Sequence, residues 1–164
     1  MADQMDDPLR PIQDSRGFFM LPRSPQESGY YNYGRLNGTP DRGAYQYAHP
    51  IMMQAILRVA LEWQAIDKRR IGIGNISLAG GPKHTDHRGH RNGLQVDVRA
   101  LRKDGGEDPV IWSDPPYDRD GTAKLIELFR TFAPVTRVFF NDTSIPFVTW
   151  RERHDDHFHV ELMG

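Results

Sequence analysis

The stretch His154-Asp155-Asp156-His157-Phe158-His159-Val160-Glu161-Leu162 decides how this chain is read. From His157 onward it alternates. Successive side chains of a strand point to opposite faces, so Phe158, Val160 and Leu162 share one side while His157, His159 and Glu161 share the other. The first side belongs to a core. The second is a row of metal-ligating and proton-carrying groups. Upstream, Gly93-Leu94-Gln95-Val96-Asp97-Val98-Arg99 reads in the same way, with Leu94, Val96 and Val98 toward the core and Gln95, Asp97 and Arg99 away from it. If the two strands are neighbours, Asp97 shares a face with His157 and His159. His90 lies just before its strand, and Gly93 lets the chain turn to bring that imidazole over the same face. Every histidine except His49 falls in one of the two windows, 84–97 and 154–162.

A lone His-x-His on a strand is usually a surface feature. Two His/Asp windows, each beside a cleanly alternating strand, read as a metal site. Imidazole and carboxylate suit zinc, and three protein ligands leave a fourth position for water, as a catalytic site requires. Water bound to zinc drops to a pKa of about 7 and becomes a nucleophile. The chain has no Cys, so the donor set favours hydrolytic chemistry over a structural zinc finger.

Outward from these windows the chain reads as a mixed α+β protein with an antiparallel sheet. A helix is predicted over 49–66, with Pro50 in its first turn and Met52, Ile56, Val59, Trp63 and Ile66 as an apolar stripe. A second is predicted over 122–132, with Leu125, Leu128, Phe129 and Phe132 on one face and Asp120 or Thr122 as its cap. Strands are predicted over 71–78, 93–101, 136–140 and 157–162. Residues 1–17 read as an extended lead-in, and 18–164 as a single domain. The Gly- and Tyr-rich stretch 18–47 reads as short strands or packed loop, its tyrosines packing under the loops or lining a peptide groove. The 21 basic and 22 acidic residues give a net charge of -1, which argues against a nucleic-acid binder. No run of 18 apolar residues suggests a membrane span.

The stretch His87-Arg88-Gly89-His90-Arg91-Asn92-Gly93-Leu94-Gln95-Val96-Asp97, with His154-Asp155-Asp156-His157-Phe158-His159-Val160 downstream, resembles the zinc peptidases that include lysostaphin-type enzymes, D-Ala-D-Ala carboxypeptidases and the Hedgehog domain. It resembles the penicillin-insensitive murein endopeptidases more closely, in their H-x-x-H-x-x-G-x-x-x-D and H-D-x-H-F-H-V blocks. Val138-Phe139-Phe140-Asn141 and Leu21-Pro22-Arg23-Ser24 look like further parts of that family, so the likeness runs over about 18–162. The resemblance implies a small central antiparallel sheet with flanking helices and a zinc groove on one sheet face, in a single zinc-peptidase domain over 18–164. It implies His90, Asp97 and His159 as zinc ligands, His157 as general base or stabiliser of the tetrahedral intermediate, and His87 and His154 as assisting histidines. It implies the peptide stems of peptidoglycan as partner, with D-Ala to meso-diaminopimelate cross-links as the bonds cut. A non-catalytic module that keeps the zinc fold and recognises wall peptides or a protein partner is the alternative, and the Hedgehog likeness keeps it open.

Among other residues, His84 reads as a solvated loop histidine, with a second metal as the alternative, and His49 as structural. Arg88, Arg91 and Arg99 flank the metal block and are candidates to grip a substrate carboxylate. Asp155 or Asp156 is positioned to orient His157, and Asp156 is also an alternative proton carrier. The loop 104–109 reads as a hairpin, and 114–118 as a stiff surface loop or the rim of the groove. The first residues are acidic and lack an apolar core segment, so no signal peptide is expected. That departs from the resembling family, as does the lack of Cys. The expectation is a protein made in the cytoplasm and delivered to the periplasm or wall by another route. It would be a phage endolysin, an injected antibacterial effector with a secretion apparatus and an immunity protein as partners, or a domain of a longer chain.

Overall fold

A computed structural model describes residues 12–23, 25–84 and 89–164. The elements are β1 (Phe19–Met20), β2 (Tyr30–Asn32), β3 (Arg35–Leu36), β4 (Thr39–Pro40), β5 (Tyr47–Ala48), α1 (Pro50–Gln64), β6 (Ile71–Ile73), β7 (Gln95–Arg99), α2 (Arg119–Phe132), β8 (Val135–Phe139), β9 (Val148–Thr149) and β10 (His157–Leu162). Six strands form one sheet in the order β2-β6-β7-β10-β8-β9. Its four central strands run antiparallel as expected. Each outer pair, β2 with β6 and β8 with β9, is parallel. The chain from β2 to β6 passes through α1, the kind of crossover a parallel pair requires, and β9 returns beside β8 after the loop 140–147.

The two helices pack on each other and on the apolar side of the sheet. On α1 the predicted stripe is buried from Met52 to Trp63. Ile66 lies beyond the helix and is exposed, because the chain has already left the helix at Ala65. His49 is the N-cap, its ring nitrogen accepting from Ile51 N–H at 3.1 Å. Helix α2 starts three residues earlier than predicted. Its cap is Asp118, not Asp120 or Thr122, and the Asp118 carboxylate accepts from Gly121 N–H at 3.0 Å. Phe129 of α2 sets its ring against Phe158 of β10, which ties the helical layer to the strand that carries the histidines.

The strand predicted over 71–78 ends at Ile73. Gly74 and its neighbours continue without a regular ladder: Gly74 N–H donates to Asp97 O, Asp97 N–H to Asn75 O, and Ile76 N–H to Tyr45 O. The tyrosines of 18–47 pack inside, Tyr30 and Tyr45 being almost wholly buried. The loop 12–17 is tied to the region ahead of the first histidine block. Arg16 donates to Ser77 Oγ and Leu78 O, and Asp14 accepts from Gly80 N–H. No helix among the described residues is long and apolar enough to cross a membrane.

Candidate active site

Antiparallel pairing of β7 and β10 sets His159 opposite Asp97, His157 opposite Arg99 and Glu161 opposite Gln95. The alternation read from the sequence thus becomes a shared face. His90 reaches it from the turn before β7. That turn needs two unusual backbone conformations, with φ 56° at His90 and 72° at Gly93. A side chain at Gly93 would run into His49 N, 2.5 Å from an added Cβ, so the turn is pressed against the start of α1. There Gly93 O accepts from His49 N–H.

Three imidazoles converge on a single carboxylate oxygen. Asp97 Oδ1 lies 3.1 Å from His159 Nδ1, 3.2 Å from His90 Nε2 and 3.8 Å from His157 Nε2. His90, Asp97 and His159 are all buried, and they offer donor atoms within 4.8 Å of one another, so they could hold a metal ion. The donor chemistry fits zinc. A tetrahedral ion with bonds of about 2.0–2.1 Å has donor-to-donor edges of roughly 3.3 Å, close to the spacing of Asp97 from each imidazole. Each imidazole is also held from behind. His90 Nδ1 donates to Ile76 O at 3.0 Å, which leaves Nε2 facing Asp97. His159 Nε2 faces Glu161 at 3.2 Å, which leaves Nδ1 facing Asp97.

The electrostatics of the cluster centre on Asp97. Burial would raise the Asp97 pKa, but the charges of His90 and His157 and the hydrogen bond from His159 outweigh it and hold it well below the usual carboxylate range. Burial opposes protonation of His159 too. Its bonds to Asp97 and Glu161 prevail and lift it to about 9. The proton held there is the one a metal ion would displace.

His157 sits differently. Its Nδ1 donates to Asp156 Oδ1 at 2.7 Å, so Nε2 points into the site and is the nitrogen that carries the lone pair when the ring is neutral. Burial would lower its pKa, but Asp97 and the Asp156 hydrogen bond raise it. His154 stands beside it, ring centroids 5.0 Å apart. Burial depresses its pKa to about 4, and its Nδ1 donates to Glu152 O, so at neutral pH it offers a neutral acceptor. His84 sets its ring edge to Tyr45. His87, like Arg88, lies outside the described residues.

A cavity of about 520 Å³ opens over the cluster, with Arg151, Glu152, Arg153 and His154 on its wall. The sequence reading did not single out Arg151 or Arg153. It named Arg91 and Arg99, which do not line this cavity. Arg99 is engaged elsewhere, its guanidinium stacked 4.2 Å over the Tyr33 ring and donating to Glu107 O. Arg91 donates to Gly81 O. Asn141 was also missed as a site residue. It is buried, and both ends of its amide pin the cavity wall: Nδ2 donates to Asp155 Oδ1 and Oδ1 accepts from Arg151 N–H. The signal was present in the Phe139-Phe140-Asn141 stretch, where a polar residue directly follows two aromatics.

No curated protein matches the sequence. The model of the penicillin-insensitive murein endopeptidases matches residues 28–110. That match takes in His90 and Asp97, and β7–β10 pairing brings the second histidine block to them. With half of its length matched, the chain belongs to the penicillin-insensitive murein endopeptidase family.

Proposed function

We propose that this protein is a zinc-dependent endopeptidase that hydrolyses peptide cross-links of peptidoglycan, of the D-Ala to meso-diaminopimelate type, through its residues 18–164. The observation that carries this reading is the convergence of three imidazole nitrogens on Asp97 Oδ1 at the floor of an open cavity, in a chain of murein endopeptidase family. His90 Nε2, Asp97 and His159 Nδ1 would hold the ion. Bound there, zinc would polarise the scissile carbonyl and lower the pKa of a water toward about 7.

The remaining work falls to the chain's own groups. His157 Nε2 takes a proton from the attacking water and returns it to the leaving amine. Asp156 keeps the proton on His157 Nδ1 and favours the imidazolium once it forms. That protonated imidazole then stands beside the developing oxyanion. His154, neutral and lodged against Glu152 O, accepts a hydrogen bond from substrate or water. Arg151 and Arg153 offer guanidinium groups on the wall, suited to a stem-peptide carboxylate. A wall substrate lies beyond the cytoplasmic membrane, so this reading carries delivery to the periplasm or wall with it, as an injected effector with an immunity partner or as an endolysin.

A binding module that holds zinc without turnover has no use for a proton carrier fixed by Asp156 with its other nitrogen facing the cluster. Digestion of purified sacculi, followed by mass spectrometry of the fragments and metal analysis of the protein, tests the proposal. Conversion of D-Ala to meso-diaminopimelate cross-linked dimers to monomers by zinc-loaded protein, lost with a chelator and restored by zinc, is expected. Unchanged dimers beside a zinc-loaded protein would leave the binding module as the reading.

A further inference from the structure

The side of the cluster away from His157 carries a set of contacts that the proposed reaction does not use. Gln95 opens β7 and Glu161 lies opposite it on β10. Glu161 Oε1 faces His159 Nε2 at 3.2 Å. The same oxygen accepts from Gln95 Nε2 at 3.4 Å. The other end of the Gln95 amide, Oε1, accepts from His90 N–H at 2.6 Å. One continuous path therefore runs from the ring of His159 through Glu161 and Gln95 to the backbone of His90.

Each link has a distinct consequence. A neutral imidazole carries its proton on one nitrogen only, and the other is the one that can bind a metal. By accepting from Nε2, Glu161 selects the form of His159 whose lone pair lies on Nδ1, the nitrogen that faces Asp97. Gln95 acts on the backbone. His90 holds φ 56°, a left-handed conformation that a residue other than glycine adopts only where its surroundings fix it. The bond from His90 N–H to Gln95 fixes it. The preceding residue must be glycine for this to fit, because a Cβ on Gly89 would sit 2.2 Å from Gln95 Oε1.

We infer that Gln95 and Glu161 are positioning residues of the metal site, a cross-strand pair that couples the ring orientation of His159 to the turn that presents His90. The inference rests on the metal reading proposed above. It predicts that the two ligands are set jointly, so that removing either member of the pair loosens the site without touching a ligand.

The test is zinc affinity, measured by competition with a chromogenic chelator, for the wild-type protein and for Glu161→Ala, Glu161→Gln and Gln95→Ala. Circular dichroism and denaturant unfolding verify that each variant is folded. Nitrogen–proton correlation spectra of the His159 ring in the zinc-loaded wild type report which nitrogen is bound. Loss of such a supporting contact typically weakens a metal site by about 10–100-fold, and that is expected for Glu161→Ala. Glu161→Gln retains an oxygen that can accept from Nε2 and recovers most of the affinity. Gln95→Ala falls between them. The ring spectrum shows the proton on Nε2 and the metal on Nδ1. Wild-type protein that takes up no zinc overturns the metal reading, and this inference with it. Tight zinc binding by wild type and equally tight binding by folded Glu161→Ala and Gln95→Ala overturns this inference alone, as does ligation through Nε2.

Discussion

The two faces of the β7–β10 pair are each buried at their centre, by opposite means. On one, Val96, Val98, Phe158 and Val160 have no exposure, and the Phe158 ring meets Phe129 and Phe140 edge-on. On the other, Asp97 and His159 retain only 5% and 6%. An apolar face gains by leaving water, at about 25 cal/mol per Å². A charged face loses several kcal/mol per ion unless each charge is matched. On the site face the matching is atom by atom: His90, His157 and His159 on Asp97, Asp156 behind His157, Glu161 behind His159. Burial alone therefore does not separate core from site. What separates them is that one face is specified by volume and the other by the position of every lone pair and proton.

Adjacent residues of β10 test that contrast most severely. His159→Ala should take zinc from about one per chain to near none, and cross-link cleavage to background, because a three-ligand site loses one imidazole. Its unfolding should stay cooperative. Phe158→Ala should do the reverse. It should lose about 3–5 kcal/mol of stability, a large part of the roughly 5–15 kcal/mol a domain has, while the folded fraction still carries zinc. Metal analysis beside denaturant unfolding reads both. Equal loss of zinc and of stability in the two variants would show that the faces are not independent.

Within the polar face a finer division is expected between holding the ion and moving the proton. His157 Nε2 lies farther from Asp97 Oδ1 than either proposed ligand nitrogen does, 3.8 Å against 3.1 and 3.2 Å, and its other nitrogen is fixed by Asp156. His157→Ala should keep zinc and lose turnover by about 10²–10⁴-fold, the usual contribution of general acid–base catalysis. Zinc content and muropeptide cleavage on the same preparation decide it. Loss of zinc by His157→Ala with retention by His159→Ala would exchange the two roles.

Period-two alternation was enough to place Asp97, His157 and His159 on one face, since strand geometry leaves a side chain two choices. The 157–162 strand came out with its boundaries intact. His90 was harder. Its position depends on a left-handed turn that Gly93 announced; alternation put Gln95 on the site face, but its bond to the His90 backbone and the room this needs at Gly89 had no local pattern. The strand predicted over 71–78 stopped at Ile73 because its partners change. An apolar run cannot reveal that Gly74 and Ile76 bond to residues as distant as Asp97 and Tyr45. Arg151 and Arg153 were illegible for the same reason. Their place on the cavity wall follows from how the loop before β10 folds back on β8, a long-range fact with no local periodicity. Asp118 was overlooked as a cap because the apolar stripe on which that helix was read begins only at Leu125, about a turn and a half after the helix starts at Arg119.

That cap supplies the smallest expected effect and the cleanest control on the apolar side. Asp118 accepts from Gly121 N–H and pairs with Arg69 at 2.7 Å, at the start of the helix that covers Phe158. Burial would raise its pKa, but the Gly121 hydrogen bond and Arg69 outweigh it and lower it. Asp118→Ala should lose about 1 kcal/mol, as N-caps generally do, with zinc content unchanged. Asp118→Asn, which caps about as well, should lose less, and the loss that remains relative to wild type isolates the charge contact with Arg69. The sign with pH follows from the direction of the shift. A carboxylate lowered on folding stabilises the folded state above its unfolded value of about 3.9. That contribution disappears as pH falls through the lower folded value. The gap in stability between wild type and Asp118→Ala should accordingly be full at neutral pH and narrow as pH falls below about 4. Urea unfolding of both proteins across that range measures it. A gap that widened toward acid, or a fall in zinc content at neutral pH, would show that the helical layer and the site face are coupled through β10 more tightly than their separate packing implies.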